Sequence, residues 1–400
     1  MTRTLRETAP PSLAVRKAAR ATYGAFIGSG FAFANWAARI PQVRDRLGLS
    51  PSELGYLLLA IAAGSVVALP LSGRIVTVLG SRRTVALTAV LVAIGLEAAA
   101  LGYLSGVALV VIGLVLFGFG SGAWDVAMNV QGALVERRLS RSIMPRFHAG
   151  WSVGTVAGAL VGAVMVACNV PVTAHLSAAA VSVALAIPIA VRWFLPDGNE
   201  VPGDAEPATV DPPRVWAAWT EPRTLLIGIF VLAFAFAEGT ANDWISVAAI
   251  DGYDVSATTG ALTFAAFLAA MTAGRWFGPA LLDRHGRVPV LRGAATVAVA
   301  GLALFVFGGV WGLAVAGAVL WGVGTSLGFP VGMSAGADDP TRAAARVSVI
   351  ASIGYCAFLG GPPLVGFLGQ HFTVLRALTV VAALLLLAAL IADSTRPPGP

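Results

Sequence analysis

Apolar runs of membrane-spanning length follow one another along almost the whole chain, separated by short polar turns. A run of about 20 apolar residues is enough for a helix to cross the ~30 Å hydrocarbon core of a bilayer. A helix satisfies its own backbone polar groups in lipid, whereas an exposed loop does not. The sequence therefore predicts an all-α membrane protein with twelve transmembrane helices. We place these spans at residues 18–40, 52–75, 84–104, 107–133, 146–168, 172–194, 223–248, 256–281, 288–308, 311–335, 345–368 and 372–393.

The composition argues against soluble classes of protein. Hydrophobic residues make up 57% of the chain and charged residues 12%, with a mean hydropathy of +0.82, so most of its solvent is lipid. The net charge of +6 does not indicate a nucleic-acid partner, because the basic residues lie in turns between spans. Cys168 and Cys356 lie inside apolar runs, so no disulfide or metal site is predicted. No nucleotide-binding or nucleophile motif stands in a credible loop, so we expect no cofactor and no enzyme chemistry.

The basic residues predict the orientation in the membrane. An even number of spans places both termini on one side, and cytoplasmic connections carry an excess of Lys and Arg. Most of the basic residues lie at the termini or in the even-numbered connections. Both termini are therefore predicted to be cytoplasmic, in a multi-pass protein of a bacterial cytoplasmic (inner) membrane. The exceptions to the pattern are Arg39, Arg44, Arg46 and Arg376.

The chain divides into two halves of similar sequence. Residues 195–222 contain six Pro and six acidic residues without apolar periodicity, which predicts a cytoplasmic linker between a bundle in 1–194 and a second in 223–400. Each bundle would hold six helices, related by pseudo-symmetry. A single offset of 204 residues relates matching positions in the two halves. The matches are Gly118, Gly120, Trp151 and Gly162 with Gly322, Gly324, Tyr355 and Gly366.

A charged turn recurs at the corresponding place in each half. The turn Asp283-Arg284-x-Gly286-Arg287 resembles the signature loop of the major facilitator superfamily, as do the twelve spans, the central linker and the homologous halves. In the first half, Thr77 and Val78 replace the Asp-Arg pair. The resemblance implies two bundles that rock about a site near the bilayer midplane. It also implies gating by charges at the turns, although these charges have an alternative explanation as topogenic residues. The gating candidates are Arg74, Arg82, Arg83, Asp283, Arg284 and Arg287.

Three local motifs are similar to the fucose-permease-like branch of this superfamily. They are Asn35-Trp36-x-x-Arg39, Trp124-Asp125-x-x-Met128-Asn129 and Phe147-His148-x-x-Trp151-Ser152-x-Gly154. Relatives in this branch often carry an acidic residue in span one, where this chain has Asn35 and Trp36. A proton-symport mechanism is therefore not transferred whole from a sugar permease.

Carboxyl groups inside the spans are the candidates for proton coupling, because a charge at mid-bilayer is costly unless it has a function. Asp125 has Asn129 one helical turn later, and Glu238 has Asn242 at the same spacing. Each acid can also be explained as a structural hydrogen-bonding partner of a neighbouring helix. For Glu97 and Asp243 we favour the structural interpretation, since Glu97 is isolated and Asp243 lies nearer the external end.

Polar and aromatic residues of spans one, four, five, seven and eleven are the candidates for solute binding. Those with ring systems can instead be packing or interface residues, and His148 can instead contact lipid headgroups. Arg39 is expected to turn inward and pair with a carboxylate such as Asp125 or Asp243, whereas Arg44 and Arg46 are expected to be solvated. The full set is Asn35, Trp36, Arg39, Trp124, Asn129, His148, Trp151, Ser152, Asn242 and Tyr355.

These patterns predict a secondary active transporter of a small polar solute, such as a sugar or related metabolite, coupled to protons. One alternative is a proton-driven exporter of amphipathic compounds. A second is a membrane sensor or scaffold that no longer transports, against which the acids retained inside the membrane argue. The expected partners are the solute, protons and the lipid bilayer, and the chain is expected to be a monomer.

Overall fold

The computed structural model describes residues 12–139, 143–197, 217–339 and 342–397, which are almost entirely helical. Ten helical stretches among these residues are long and apolar enough to cross a membrane. The all-α membrane class predicted from the apolar runs is therefore confirmed. Most of the predicted linker, residues 198–216, lies outside the described residues, and the division into domains stays a prediction.

The helices of the first part of the chain, which we call the N-terminal helices, are α1 to α6. Their bounds are α1 Leu13–Ala37, α2 Ile40–Leu47, α3 Pro51–Ser105, α4 Val107–Leu139, α5 Met144–Ala167 and α6 Val172–Ala190. The C-terminal helices are α7 to α14. Their bounds are α7 Pro222–Tyr253, α8 Ala257–His285, α9 Arg287–Phe307, α10 Trp311–Thr325, α11 Gly328–Gly336, α12 Ala343–His371, α13 Val374–Ala377 and α14 Thr379–Ile391.

Helix α3 consists of two helices that meet at a kink. It contains 55 residues, which at 1.5 Å per residue is roughly 80 Å, far more than one crossing needs. Gly80 interrupts it with φ 78° and ψ 158°, a conformation that favours glycine. The backbone N–H and hydroxyl of Ser81 donate hydrogen bonds to the carboxylate of Asp197, which caps the second helix. The predicted spans 52–75 and 84–104 lie on either side of this kink.

The same backbone conformation recurs in the second half of the chain. Gly286 separates α8 from α9 with φ 79° and ψ 169°, close to the angles of Gly80. The two charged turns therefore share a local structure although their sequences have diverged. The end of the molecule that holds Gly80 and Gly286 is called the inner end below, and the opposite end, which holds α2, the outer end.

The predicted span 311–335 contains a break that the apolar pattern did not indicate. Helix α10 ends at Thr325 and α11 begins at Gly328, with Ser326 and Leu327 between them. A Cβ on Gly274 of α8 would lie 2.4 Å from the Ser326 hydroxyl, and one on Gly278 would lie 2.5 Å from Leu327. Glycines of α8 thus make room for the break.

The N-terminal helices contact the C-terminal helices along α5 with α8, α3 with α12, and α2 with α7. At the outer end the contact is direct between backbones. A Cβ on Gly55 would lie 2.5 Å from the Pro362 carbonyl oxygen, and one on Gly366 would lie 2.5 Å from that of Pro51. The outer end is therefore closed by close packing.

Ion pairs join the C-terminal helices at the inner end. Arg287 donates to Asp338 at 2.7 Å, and Arg223 donates to the same carboxylate at 2.8 Å. Glu221, just before α7, accepts from Arg346 at 2.6 Å and from Arg342 at 3.0 Å. These bonds tie the start of α7 to α9, α11 and α12.

Replacing Glu221 by glutamine should lower the melting temperature in detergent at pH 7. Hydrogen bonding by Arg346 is the main cause that lowers the pKa of Glu221 below its usual 4.5. Its stabilisation is present above that value and lost as the pH falls through the depressed pKa. We expect a loss of roughly 2–4 °C at pH 7, the shift that about 1 kcal/mol produces in a large domain. The difference between variant and wild type should close below pH 4.5. Asp283→Asn, at an exposed position, is the control; a pH-independent loss in Glu221→Gln would contradict the ion-pair interpretation.

Candidate functional site

Asp125 lies on α4 and lines an interior cavity. The residue is exposed to solvent although it is deep among protein atoms, a combination that requires open space inside the molecule. Asn129 donates from Nδ2 to the Asp125 backbone oxygen at 2.8 Å and to its Oδ1 at 3.2 Å. The predicted pairing of these two residues across one helical turn is confirmed. The carboxylate has no cationic partner among the residues that the structure describes.

Helices α12 and α7 contribute the facing wall of this cavity. Tyr355 of α12 is 38% exposed and interacts electrostatically with Asp125. Its ring lies 6.1 Å from that of Phe358. A Cβ on Gly239 of α7 would lie 3.3 Å from the Phe358 ring, so this face of α7 borders the aromatic pair. One turn further along α7 lies Asn242, whose buried Oδ1 has no hydrogen-bond partner in the described part of the chain.

Asp243 follows on the same helix and is half-buried, deep among protein atoms. The structure gives its carboxylate no hydrogen bond or ion pair within the described ranges. Helix α7 continues to Tyr253, ten residues or about 15 Å beyond Asp243. Asp243 lies closer than Glu238 to the outer end, as expected, but α7 extends beyond the predicted span 223–248.

Glu238 is paired with a cation that the sequence analysis did not single out. Arg275 of α8 donates from Nη2 to Glu238 Oε2 at 2.7 Å, and the Glu238 side chain is 11% exposed. Arg275 Nε also donates to the backbone oxygen of Ser326 at 3.4 Å, at the break between α10 and α11. Arg275 lies inside the predicted span 256–281 and not in a connection between spans. An arginine inside an apolar run was the available signal.

Helix α5 brings a second group of predicted residues to the boundary between the two sets of helices. His148 is exposed. Its ring meets the Phe26 ring edge-on, with 5.1 Å between the ring centroids, and it interacts electrostatically with Arg275. Trp151 is half-buried and stacks on Phe33 at 6.4 Å. Ser152 is buried instead, and its hydroxyl has no partner within the described residues. His148 and Trp151 remain accessible, whereas Ser152 belongs to the packing of α5.

Arg39 pairs with a histidine and not with a carboxylate, so the predicted pairing with Asp125 or Asp243 is wrong. Its Nε donates to His175 Nδ1 at 2.8 Å, and its Nη2 donates to the Val170 oxygen at 2.9 Å. His175 Nε2 lies 2.6 Å from Asn35 Oδ1.

This arrangement fixes the tautomer of His175. Arg39 can only donate, so Nδ1 must accept and Nε2–H donates to Asn35. A neutral imidazole thus joins α1 to α6. Asn35 and Arg39 are both buried in this network and do not line the cavity.

Trp36 and Trp124 are packed between helices. Both are almost completely buried, and their indole nitrogens have no hydrogen-bond partner among the described residues. Trp124 lies next to Asp125, but successive residues point to different sides of a helix. The structure therefore places these two rings in the packing and not on the cavity wall.

The gating candidates lie at the inner end. Arg287 is bound to Asp338 as described, and the other five are exposed; they are Arg74, Arg82, Arg83, Asp283 and Arg284. At the outer end, Arg44 donates from Nη1 and Nη2 to the two carboxylate oxygens of Asp251 on α7. The expectation that Arg44 is solvated is wrong, because Asp251 lies within reach of α2. Arg46 is exposed as expected.

Comparison with known proteins places this arrangement in a family. The family described as Major Facilitator Superfamily matches residues 22–357. The chain is 31% identical over 376 residues to the uncharacterized transporter y4wD of Sinorhizobium fredii, covering 93% of this chain and 97% of the relative. The nucleoside transporter NupG has a similar structure, with a TM-score of 0.75 at 14% identity over 96% of this chain and 98% of that one. The E. coli fucose:proton symporter FucP has a TM-score of 0.63 at 16% identity, over 95% of this chain and 98% of that one.

Proposed function

Because the chain belongs to the Major Facilitator Superfamily, we propose that it moves a small polar solute across the membrane by alternating access, coupled to protons. It is a multi-pass integral membrane transporter of that family and not an enzyme, as its named relatives are transporters. The sugar and nucleoside specificities of FucP and NupG belong to those proteins, since low identity carries over the fold alone.

The observation that carries the proposal is the accessible carboxylate of Asp125 in the interior. A transporter needs a site that reaches solvent from one side while the protein closes the other. The exposure of Asp125, together with the backbone packing of Gly55 and Gly366 at the outer end, supports such a site. A carboxyl group without a cationic partner can also gain and lose a proton as its surroundings change.

The polar groups around Asp125 favour a hydroxyl-rich solute. Asn129 and Asn242 offer amide donors and acceptors, and Tyr355 offers a hydroxyl group. The aromatic face of Trp151 can stack on a sugar or another flat ring. We propose Asp125 as the first proton-coupling residue and Glu238 as the second, released when its pair with Arg275 opens. Five of the candidate residues are buried and would support this site without lining it. They are Asn35, Trp36, Arg39, Trp124 and Ser152.

We propose that the chain forms two six-helix bundles that cross the membrane twelve times. The ten spanning stretches become twelve when α3 is counted on both sides of Gly80 and α1 is added. The outer end would face the exterior and the inner end the cytoplasm of a bacterial inner membrane, with both termini cytoplasmic. The protein would act as a monomer, and the exposed charges of the inner end would gate the cytoplasmic opening.

A ligand screen on the purified protein tests the class of solute. A solute that binds only the folded state raises the melting temperature by linkage. Sugars, nucleosides and cationic dyes should be compared at equal concentrations, and we expect stabilisation by hydroxylated solutes. Stabilisation by dyes alone would favour the exporter of amphipathic compounds. Failure of every compound, together with failure of pH-gradient-driven uptake in liposomes, would favour a sensor or scaffold.

Single-cysteine reporters test the orientation. Ser105 and His285 are exposed at opposite ends of the molecule, and Cys168 and Cys356 are also exposed and must first be replaced by serine. In intact cells, a membrane-impermeant maleimide should label Ser105→Cys but label His285→Cys only after permeabilisation. Labelling of both from outside would contradict the proposed orientation.

A further inference from the structure

We propose that Arg44, Asp251, Gly55 and Gly366 form an outer latch, a contact that keeps the outer end closed and sets the balance between inward- and outward-open molecules. This inference rests on the proposed alternating access, because a latch acts only if the two sets of helices separate. It assigns a gating role to residues outside the charged turns.

The ion pair of the latch is bidentate and partly buried. Arg44 Nη1 donates to one carboxylate oxygen of Asp251, and Nη2 donates to the other at 2.9 Å. The side chain of Arg44 is 12% exposed and that of Asp251 is 40% exposed. Two parallel bonds between a guanidinium and a carboxylate fix orientation as well as distance.

Asp45 prepares Arg44 for this contact. The Arg44 Nε donates to Asp45 Oδ1 at 2.8 Å, and Nη2, which also donates to Asp251, lies 2.7 Å from the same Asp45 oxygen. Burial by itself lowers the pKa of Arg44, but the hydrogen bonds and charges of Asp251 and Asp45 outweigh it and raise that pKa. The guanidinium of Arg44 therefore stays charged.

The glycine contact of the latch provides a second, independent observation. The backbones of α3 and α12 touch where Gly55 faces Pro362 and Gly366 faces Pro51, and added Cβ atoms would lie 2.5 Å from backbone oxygens. Ser52 also donates to the Gly366 oxygen at 3.4 Å. Since backbone atoms cannot move aside as a flexible side chain can, a methyl group at Gly366 is incompatible with the closed contact. A glycine is thus required only while the outer end is closed.

The two kinds of contact hold the same pair of surfaces. Arg44 lies on α2 and Gly55 one turn into α3, both in the N-terminal helices. Asp251 lies near the end of α7 and Gly366 near the end of α12, both in the C-terminal helices. Breaking either contact should therefore shift the same equilibrium, that between outer-open and outer-closed molecules. The size of the shift depends on how much the broken contact stabilises the closed state relative to the open one.

Distances between spin labels at both ends test the latch. Labels at Ser105 and Val310 report the outer end, and labels at Val78 and His285 report the inner end; all four positions are exposed. In the background without Cys168 and Cys356, Arg44→Gln should raise the ratio of outer-open to outer-closed molecules about tenfold. Gly366→Ala should act in the same direction. The control is Arg46→Gln, which removes an equal charge two residues away and should leave both distances unchanged.

Charge reversal separates the ion pair from general effects of substitution. The combination of Arg44→Asp with Asp251→Arg restores an attraction and should return most molecules to the short outer distance. Unchanged distances in both Arg44→Gln and Gly366→Ala would overturn the latch. Equal changes in Arg44→Gln and Arg46→Gln would also overturn it, because net charge and not the pair would then be the cause.

The inner labels distinguish failure of the latch from failure of the proposed function. If the latch acts within alternating access, lengthening of the outer distance is accompanied by shortening of the inner distance. If the outer distance lengthens while the inner distance stays fixed, the contact is a latch but the two sets of helices do not alternate. A third result is that a stabilising solute changes both distances in the wild type, whereas Arg44→Gln and Gly366→Ala leave both distances at their wild-type values. This result would support alternating access and contradict the latch.

Discussion

Replacement of Arg275 by glutamine should leave little folded protein. The substitution removes the partner of Glu238, whose side chain is 11% exposed, and leaves an uncompensated carboxylate in the interior. Breaking a buried pair from one side costs about 3–5 kcal/mol, a large part of the roughly 5–15 kcal/mol that stabilises a typical protein. The measurement is the folded yield after detergent extraction and the melting temperature of what remains.

The double variant Arg275→Gln with Glu238→Gln provides the matched comparison. Two amides of similar size can hydrogen-bond without carrying charge, so the double variant should recover most of the lost stability. Arg284→Gln, at an exposed position near the end of the same helix, should behave as wild type. A single variant as stable as the double variant would show that the pair does not stabilise the fold.

The same double variant separates the two candidates for proton coupling. It cannot titrate at Glu238, yet it should fold well enough for uptake measurements. If accumulation driven by a pH gradient persists in it, Glu238 is not needed as a proton carrier and Asp125 carries that role. If accumulation stops while solute binding remains, Glu238 takes part in coupling through the opening of its pair with Arg275.

The local features of the fold could be predicted because they depend on neighbours in sequence. The apolar runs located the helices, and the recurring turn located Gly80 and Gly286, which share one backbone conformation. The break at Ser326 could not be predicted from hydropathy, because it depends on α8, whose Gly274 and Gly278 make room for it. The contact of Asp197 with Ser81 beside the Gly80 kink likewise joins residues that are distant in sequence.

In the candidate site, too, a contact within one helix could be predicted, whereas contacts between distant parts of the chain could not. The bond between Asp125 and Asn129 spans one helical turn and followed from their spacing. The decisive partners of the other charged residues are distant in sequence. Arg275 lies 37 residues from Glu238, His175 lies 136 from Arg39, and Asp251 lies 207 from Arg44. A spacing rule for one helix cannot identify such partners, because they are set by which helices pack together.

The sequence motifs also failed to predict which aromatic rings are buried and which are accessible. Trp36 and Trp124 stand beside polar residues in their motifs, which suggested a solute pathway, yet both rings are enclosed by neighbouring helices. Trp151 and Tyr355, related by the 204-residue offset, both remain accessible to solvent. The internal repeat was therefore a better guide to accessible rings than the presence of tryptophan in a polar motif.

Replacement of Asp125 by asparagine should abolish accumulation of solute driven by a pH gradient. Proton coupling needs a group that binds a proton in one state of the transporter and releases it in another. Asp125 is accessible in the interior, has no cationic partner among the described residues, and accepts a hydrogen bond from Asn129. Asparagine has nearly the same size but cannot titrate. We expect gradient-driven uptake in proteoliposomes to fall to the level of protein-free liposomes, using the solute that gives the largest thermal stabilisation.

Exchange and binding should survive this substitution better than accumulation does. The amide that Asp125→Asn introduces still donates and accepts hydrogen bonds, so solute exchange without a gradient should retain at least about a tenth of wild-type activity, a loss within the ~1.4 kcal/mol that one hydrogen bond contributes. Glu97→Gln is the control, since Glu97 is another half-buried acid within an apolar run and should accumulate solute normally. Unchanged accumulation in Asp125→Asn would move the proton-carrying role to Glu238 or remove proton coupling from the mechanism. Loss of exchange together with accumulation would instead make Asp125 a residue that binds the solute, because removal of the charge would then affect the step that needs no proton.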